Sequence, residues 1–236
     1  MHLLLQVLVV LVALLIAKIF IYQLFFSDVI TATMQRDPAA TSRLSVILSY
    51  PGLHAMFYYK VAHAIHCSGL AFFARLVTQF GRWMTGVEIH PGAKIGKGFF
   101  IDHGMGVVIG ETSVIGENVT LFQGVTLGGT GKQKGKRHPT LGNNVVVGAG
   151  AKVLGNIHIG DGARIGANSV VIRDVPAHST VVGVPGRIAT REGKRITGIN
   201  LDHTNLPDPL TQALEKLQHE IDKIEDDLKD FHEHKE

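Results

Sequence analysis

The chain has 236 residues, 45% of them hydrophobic and 27 of them glycine, which excludes a disordered protein and fits one or two domains. Its formal net charge is +3, and no basic helix carries interleaved aromatic residues, so we expect no nucleic-acid partner. The single cysteine, Cys67, excludes an intramolecular disulfide and a cysteine zinc site, and it fits a reducing compartment.

The first segment, residues 1–27, is strongly apolar from Leu3 to Phe26. At about 1.5 Å per residue, a helix of this length nearly crosses a hydrocarbon core. No basic segment precedes it and no small-residue cleavage site follows, so we expect an uncleaved membrane anchor (residues 3–26). Arg36 and Arg43 follow the segment, which favours a cytoplasmic body tethered to the inner face of a membrane. A helix packed on this domain or another subunit is the alternative.

Residues 28–86 are predicted to form a helical domain. Asp37-Pro38 has the form of a helix start, with Asp37 as the cap and Pro38 in the first turn. Leu53 to His66 and Leu70 to Met84 each carry apolar residues at helical spacing. We expect both stripes to pack between helices; the second consists of Phe73, Leu76, Val77, Phe80 and Trp83.

An aliphatic residue returns every six residues through most of the region 87–190, beginning with Ile89, Ile95 and Ile101. Such a period is the signature of a parallel β-helix, in which each unit supplies a short strand and three units complete a coil. A set of β-hairpins would not hold one register over so many units. The sequence therefore predicts an α+β chain whose helical domain precedes a β-helix.

Two interruptions of the six-residue period are candidates for the functional site. The next aliphatic position comes eight residues after Ile101 and fourteen residues after Leu127. The first insertion contains His103, and the second is a glycine-rich basic loop, 128–140, that contains His138. Rigid folds carry much of their chemistry on such loops.

The C-terminal part divides into a polar linker, 191–208, and an apolar-patterned tail, 209–236. The tail alternates spacings of four and three, the a/d pattern of a coiled coil, at Leu210, Leu214, Leu217, Ile221, Ile224, Leu228 and Phe231. We expect an oligomerising coil; a single amphipathic helix packed on the body is the alternative.

Four stretches closely resemble the serine O-acetyltransferases, a family of hexapeptide-repeat acyltransferases: Asp102-His103-Gly104, 125–132, Arg137-His138-Pro139 and 148–156. The resemblance begins near Arg36 and runs to Ile188. It implies a left-handed β-helix after a helical N-terminal domain, in homotrimers with active sites between neighbouring β-helices, or in dimers of trimers. It also implies acetyl transfer from acetyl-CoA to the hydroxyl of L-serine, giving O-acetylserine for cysteine biosynthesis.

The same resemblance implies which residues form the site. The family's catalytic histidine falls on His103, and its orienting carboxylate falls on Glu88, where some members have aspartate. The serine-contacting positions fall on Asp37, Pro38, Asp102, Arg137 and His138. The coenzyme A positions fall on Gly129, Thr130, Ala149, Arg164 and Ala167. No metal is implied.

The chemistry of these residue types suits that reaction. A histidine titrates near neutrality, so His103 can take the proton of an attacking hydroxyl, while a carboxylate such as Glu88 fixes its tautomer. Arg137 can bind a carboxylate in bidentate fashion. His138 adds a donor or a second acid/base group, and the acidic pair Asp37 and Asp102 suits an ammonium.

Other interpretations fit less well. Acetyl transfer to a sugar hydroxyl would leave the pair Asp37 and Arg137 without an amino-acid substrate. A zinc lyase of the γ-carbonic anhydrase type needs a closely spaced histidine pair, which this β-helix lacks, and a non-catalytic tether gives no reason for the His103 bulge. Many family members bind O-acetylserine sulfhydrylase through a C-terminal isoleucine; this chain ends in 232–236 without one, so we do not expect that complex.

Overall fold

A computed structural model describes residues 2–131, 134–189, 218–221 and 223–224. The helices α1 (His2–Phe25), α2 (Ser27–Arg36), α3 (Arg43–Ser49), α4 (Pro51–Cys67) and α5 (Ala71–Thr85) come first. The strands that follow are β1 (Glu88–Ile89), β2 (Lys94–Ile95), β3 (Phe100–Ile101), β4 (Val108–Ile109), β5 (Val114–Ile115), β6 (Thr120–Leu121), β7 (Thr126–Gly128), β8 (Thr140–Leu141), β9 (Val146–Val147), β10 (Lys152–Leu154), β11 (His158–Ile159), β12 (Arg164–Ile165), β13 (Val170–Val171), β14 (Thr180–Val182) and β15 (Arg187–Ala189).

The strands form the three faces of a triangular prism, as the six-residue period predicts. Sheet A has the order β1-β4-β7-β10-β13, sheet B the order β2-β5-β8-β11, and sheet C the order β3-β6-β9-β12-β14-β15. Neighbouring strands are parallel and in register, so Ile89 pairs with Ile109 and Ile109 with Leu127. The exception is β15, which turns back after Pro185 and pairs antiparallel with β14. The predicted left-handed β-helix is confirmed.

The repeated aliphatic residues fill the interior of the prism. Those on sheet A are Ile89, Ile109, Leu127, Val153 and Val171, each at most 3% exposed. Burying a side chain of this size stabilises the fold by roughly 1.5–3 kcal/mol relative to leaving it in water. The coils stack closely because glycine occupies their corners: a Cβ on Gly116 would lie 2.6 Å from the carbonyl carbon of Gly142 in the next coil.

Arg36, at the end of α2, fixes the helical domain on the β-helix. Its guanidinium is buried and donates to the Gly98 carbonyl at 3.0 Å, to Thr120 Oγ1 at 3.2 Å and to Asn118 Oδ1 at 3.0 Å. These hydrogen bonds hold the end of α2 against the corner of the first two coils. The next residue, Asp37, is therefore placed beside the β-helix.

The prediction that Asp37-Pro38 starts a helix is wrong. The Asp37 N–H still donates to the Thr33 carbonyl of α2 at 2.9 Å, and α3 begins only at Arg43. Asp37 Oδ1 accepts the Ala39 N–H at 2.7 Å, so its side chain closes a turn instead. The cap of α3 is Ser42, whose Oγ accepts the Ser45 N–H at 3.1 Å.

The structure also corrects the packing predicted for α5. Within the chain its large apolar residues stay largely exposed: Phe73, Leu76, Phe80 and Trp83 are 50–78% exposed. Of these, Phe80 still contacts Tyr58 of α4, with ring centroids 5.6 Å apart. The face that packs on α4 is built from Ala74, Thr78, Gly81 and Thr85. A Cβ on Gly81 would lie 2.7 Å from Tyr58 Cβ, so the close approach of the two helices requires small residues on this face. The stripe on α4 is buried at Leu53 and half-buried at Phe57 and Ile65.

The first helix leaves the body of the molecule. Residues Leu3–Phe25 are almost all apolar and the most apolar part of the helix is exposed, so this helix has the length and composition needed to cross a membrane. Near its C-terminal end Tyr22 stacks on Phe57 of α4, with ring centroids 5.5 Å apart. The predicted linker lies outside the described residues. So does the predicted coil, apart from 218–221 and 223–224, which are helical.

Candidate active site

The two predicted insertions lie at different corners of the prism. The bulge that contains His103 joins β3 of sheet C to β4 of sheet A, and we call this edge the C/A corner. The loop that ends in Arg137-His138 joins β7 of sheet A to β8 of sheet B, and we call this edge the A/B corner. Sheet A separates the two corners. Its two-residue strands and their turns span about four residues, or roughly 13 Å.

His103 occupies a tight inserted turn. Its φ is +56°, and the Gly104 N–H donates to the Asp102 carbonyl at 2.6 Å. Asn118, Asn144 and Asn168 adopt the same left-handed conformation at ordinary corners, so the conformation alone does not mark a site. What distinguishes His103 is that its side chain stands 74% exposed, with Nε2 4.0 Å from Asp102 Oδ1.

An acidic half-site surrounds this bulge. The Tyr50 hydroxyl donates to Asp37 Oδ2 at 2.6 Å, while Oδ1 of the same carboxylate accepts the Ala39 N–H. Burial, the hydrogen bond to Asp37 and the negative charges of Asp37 and Asp102 raise the pKa of Tyr50 to about 12. Both carboxylates therefore act on one hydroxyl, and the joint role of Asp37 and Asp102 in binding an ammonium stays a prediction. Pro38 lies exposed in the adjoining turn.

Glu88 lies on the outer side of β1, directly below the bulge. The Glu88 N–H donates to the Val107 carbonyl at 2.9 Å, and the Gly106 N–H donates to the Gly86 carbonyl at 2.9 Å. The carboxylate of Glu88 is ion-paired with Arg82 at 2.8 Å and approaches Arg75 at 3.9 Å, both on α5. Its backbone thus adjoins the His103 turn, and its role as the orienter of His103 stays a prediction.

The A/B corner carries the basic half-site. Arg137 forms an ion pair with Glu111, whose Oε2 lies 2.5 Å from the guanidinium Nη2. This hydrogen bond is the main reason that the pKa of Glu111 lies below its usual range. The Arg137 side chain remains 30% exposed, so its guanidinium is oriented by Glu111 and still reaches solvent.

His138 is buried in the same corner. Burial, followed by the positive charge of Arg137, lowers its pKa, so the neutral imidazole is favoured. Its Nδ1 accepts the Thr112 N–H at 3.2 Å, and because a backbone amide can only donate, the ring proton lies on Nε2. The ring lies over Gly110, where a Cβ would collide with it, and Nε2 would be 3.1 Å from a Cβ on Gly129. His138 therefore presents an N–H donor beside Gly129.

The predicted coenzyme A residues are divided between the same two corners. Gly129 and Thr130 follow β7 at the A/B corner, whereas Ala149 and Ala167 lie in stacked turns at the C/A corner. Arg164 lies on β12 of sheet C and is 8% exposed. No residue of this group bridges sheet A within one chain, among the positions that the structure describes.

Three residues that contribute to the site were not predicted from the sequence: Tyr50, Glu111 and Thr112. Each acts on a predicted residue through a contact distant in sequence. The coil register could have predicted two of them. Glu111 and Thr112 lie one coil below the end of the second loop, at the corner where that loop returns to the prism.

Comparisons with known proteins agree with this architecture. A family model described as bacterial transferase hexapeptide (six repeats) matches residues 138–173. Serine acetyltransferase of Bacillus pumilus (strain SAFR-032) is 54% identical over 199 residues, which cover 84% of this chain and 91% of that protein. The structure of serine acetyltransferase from Vibrio cholerae O1 biovar El Tor N16961 aligns with a TM-score of 0.73 at 41% identity, over 81% of this chain and 76% of that one. Soybean serine acetyltransferase complexed with serine aligns with a TM-score of 0.67 at 46% identity, over 69% of this chain and 67% of that one.

Proposed function

The chain belongs to the serine acetyltransferase family, and from this we propose that it transfers the acetyl group of acetyl-CoA to the hydroxyl of L-serine, giving O-acetylserine and free coenzyme A. One observation carries the proposal at the level of the site. An acidic half-site with an exposed histidine lies at one corner, and a basic half-site with an oriented arginine lies at the other. Together they complement the ammonium, hydroxyl and carboxylate of one amino acid.

The two half-sites meet between chains in this proposal. A threefold axis facing sheet A would bring the C/A corner of one chain next to the A/B corner of its neighbour. The outer side of sheet A suits such an interface, because Val108 and Val170 on it are apolar and remain partly exposed in the single chain. Each coenzyme A would then contact Gly129 and Thr130 of one chain and Ala149 and Ala167 of the next. A homotrimer is the smallest assembly of this kind, and dimers of trimers are compatible with it.

The reaction follows from the positions of these groups. Asp37 and Asp102 bind the serine ammonium, and Arg137 binds the carboxylate with the Nε2–H of His138 beside it. His103 takes the hydroxyl proton as the serine oxygen attacks the thioester carbonyl. A C–O bond forms, the C–S bond breaks, and the same proton passes from His103 to the departing sulfur. In this scheme His138 donates a hydrogen bond, and Glu88 orients His103.

A thiol-release assay tests the proposed function. With acetyl-CoA as donor, we expect turnover with L-serine to exceed that with homoserine or with a sugar by at least about 100-fold, because only serine fits both charged half-sites with its hydroxyl at His103. Equal or faster release with a sugar would contradict serine as the substrate. Thiol release without any acceptor serves as the blank.

We further propose that α1 tethers the enzyme to the cytoplasmic face of a membrane. The helix is apolar over Leu3–Phe25, and its most apolar stretch has no buried residue. A packed core helix would instead bury one face. The charged residues of the body, including Arg36 and Arg43, follow the helix, in agreement with a cytoplasmic location.

Removal of residues 1–18 tests the tether and spares Tyr22 and Phe26, which are buried in the body of the molecule. We expect the full chain in the membrane fraction and the truncated chain in the soluble fraction with unchanged serine turnover, because the site residues begin at Asp37. As a control, a chain in which three central leucines of α1 are replaced by lysine should also become soluble. A full-length chain found entirely in the soluble fraction, or a truncated chain that aggregates, would contradict the tether.

A further inference from the structure

Thr112 holds both residues of the basic half-site. Its Oγ1 accepts the backbone N–H groups of Arg137 at 3.0 Å and of His138 at 3.1 Å. The same hydroxyl lies 2.9 Å from His138 Nδ1, and the Thr112 backbone N–H donates to Nδ1 at 3.2 Å. The two backbone N–H groups occupy the lone pairs of Oγ1, so the hydroxyl proton is left to donate to Nδ1. The Thr112 carbonyl accepts from Lys136 Nζ at 2.7 Å.

These contacts close the long loop onto the corner. Lys136, Arg137 and His138 lie near the end of the insertion, just before Pro139 and β8, and all three bond to this one threonine. The two donors to Nδ1 leave the ring proton on Nε2, the nitrogen beside Gly129. Glu111, the preceding residue, completes the arrangement by pairing with the Arg137 guanidinium.

We propose that Thr112 is a positioning residue for the serine site, fixing the backbone that carries Arg137 and selecting the Nε2–H tautomer of His138. It touches neither substrate nor the reacting atoms. The proposal rests on the proposed function, since it assumes that Arg137 and His138 bind serine. Its structural part, the hold of Thr112 on the imidazole, stands independently of the reaction.

Replacement of Thr112 by valine keeps the shape of the side chain and removes the hydroxyl. Two backbone N–H groups then lose their acceptor and Nδ1 loses a donor, so we expect kcat/KM for serine to fall at least about tenfold. The loss should appear mainly in KM for serine, with KM for acetyl-CoA little changed. Thr112→Ser keeps the hydroxyl and should restore most of the activity.

The neighbouring residue offers a matched control. Ser113 is buried, and its hydroxyl has no hydrogen-bond partner within the described part of the chain. Ser113→Ala therefore removes a hydroxyl from the same corner without touching the loop. We expect its kinetic constants to match those of the unmodified chain.

Solid-state NMR of the histidine-labelled protein separates this inference from the function. The Nδ1 signal of His138, assigned by its loss in His138→Asn, should shift in Thr112→Val and stay in place in Thr112→Ser and Ser113→Ala. An unshifted signal in Thr112→Val, a normal KM for serine in that variant, or failure of Thr112→Ser to restore activity would overturn the proposal. If the unmodified chain does not acetylate serine, the proposed function fails, and the NMR signals still decide the role of Thr112.

Discussion

Replacing His103 with asparagine is expected to lower kcat for serine acetylation by about 10³-fold, because the attacking hydroxyl loses its general base. Asparagine is preferred to alanine because residue 103 has a φ of +56°, which Asn118, Asn144 and Asn168 adopt in the same β-helix. The substitution thus removes the base without straining the turn. The measurement is thiol release at saturating serine and acetyl-CoA.

His178 provides the control for this experiment. It is also a histidine in the left-handed conformation, with a φ of +57°, but it lies at the corner between sheets B and C, after Val175, which bridges to Ile159 of β11, and before β14. His178→Asn should leave kcat unchanged. If His103→Asn retains near-normal kcat, His103 is not the base, and if His178→Asn is equally inactive, the loss reflects the fold rather than the chemistry.

The fold was readable from the sequence because the β-helix repeats one local rule. Each aliphatic residue such as Ile109 or Leu127 pairs with the residue one coil away, so a count of six residues gives both its strand and its partner. The count also locates the candidate site, since an insertion has to leave the prism at a corner. His103 and His138 were found in this way.

Contacts that do not repeat were beyond such a count. The apolar stripe of α5 has helical spacing, yet the close approach of Gly81 to Tyr58 reversed the face that packs within the chain. Tyr50 reaches Asp37 across a turn that the sequence suggested was a helix start. The contact of Thr112 with His138 could have been predicted from the coil register. The two residues are 26 apart in sequence, which equals one coil of 18 residues plus the eight-residue insertion.

The relation between the two corners is different in kind, because it concerns two chains. No period in one sequence shows which corners meet, and the structure of one chain keeps His103 and Arg137 on opposite edges of sheet A. The proposal that they meet across a subunit interface therefore needs a test in which the two residues are supplied by different chains.

Hybrid trimers provide that test. His103→Asn should be inactive for want of a base, and Arg137→Ala should be nearly inactive at low serine for want of its carboxylate ligand. We expect trimers that contain both variants, purified through two different affinity tags after co-expression, to recover about one third of the normal activity. In any such ring one interface joins an intact C/A corner from an Arg137→Ala chain to an intact A/B corner from a His103→Asn chain.

The size of the recovery distinguishes a site shared between chains from a site within one chain. If His103 and Arg137 act within a single chain, every site in a hybrid carries one of the two defects, and the hybrids stay as inactive as the parents. Trimers of two differently tagged His103→Asn chains control for the effects of tagging and co-expression, and they should show no recovery. Because the hybrid regains activity only through the interface, this experiment decides whether the exposed histidine and the oriented arginine belong to one active site.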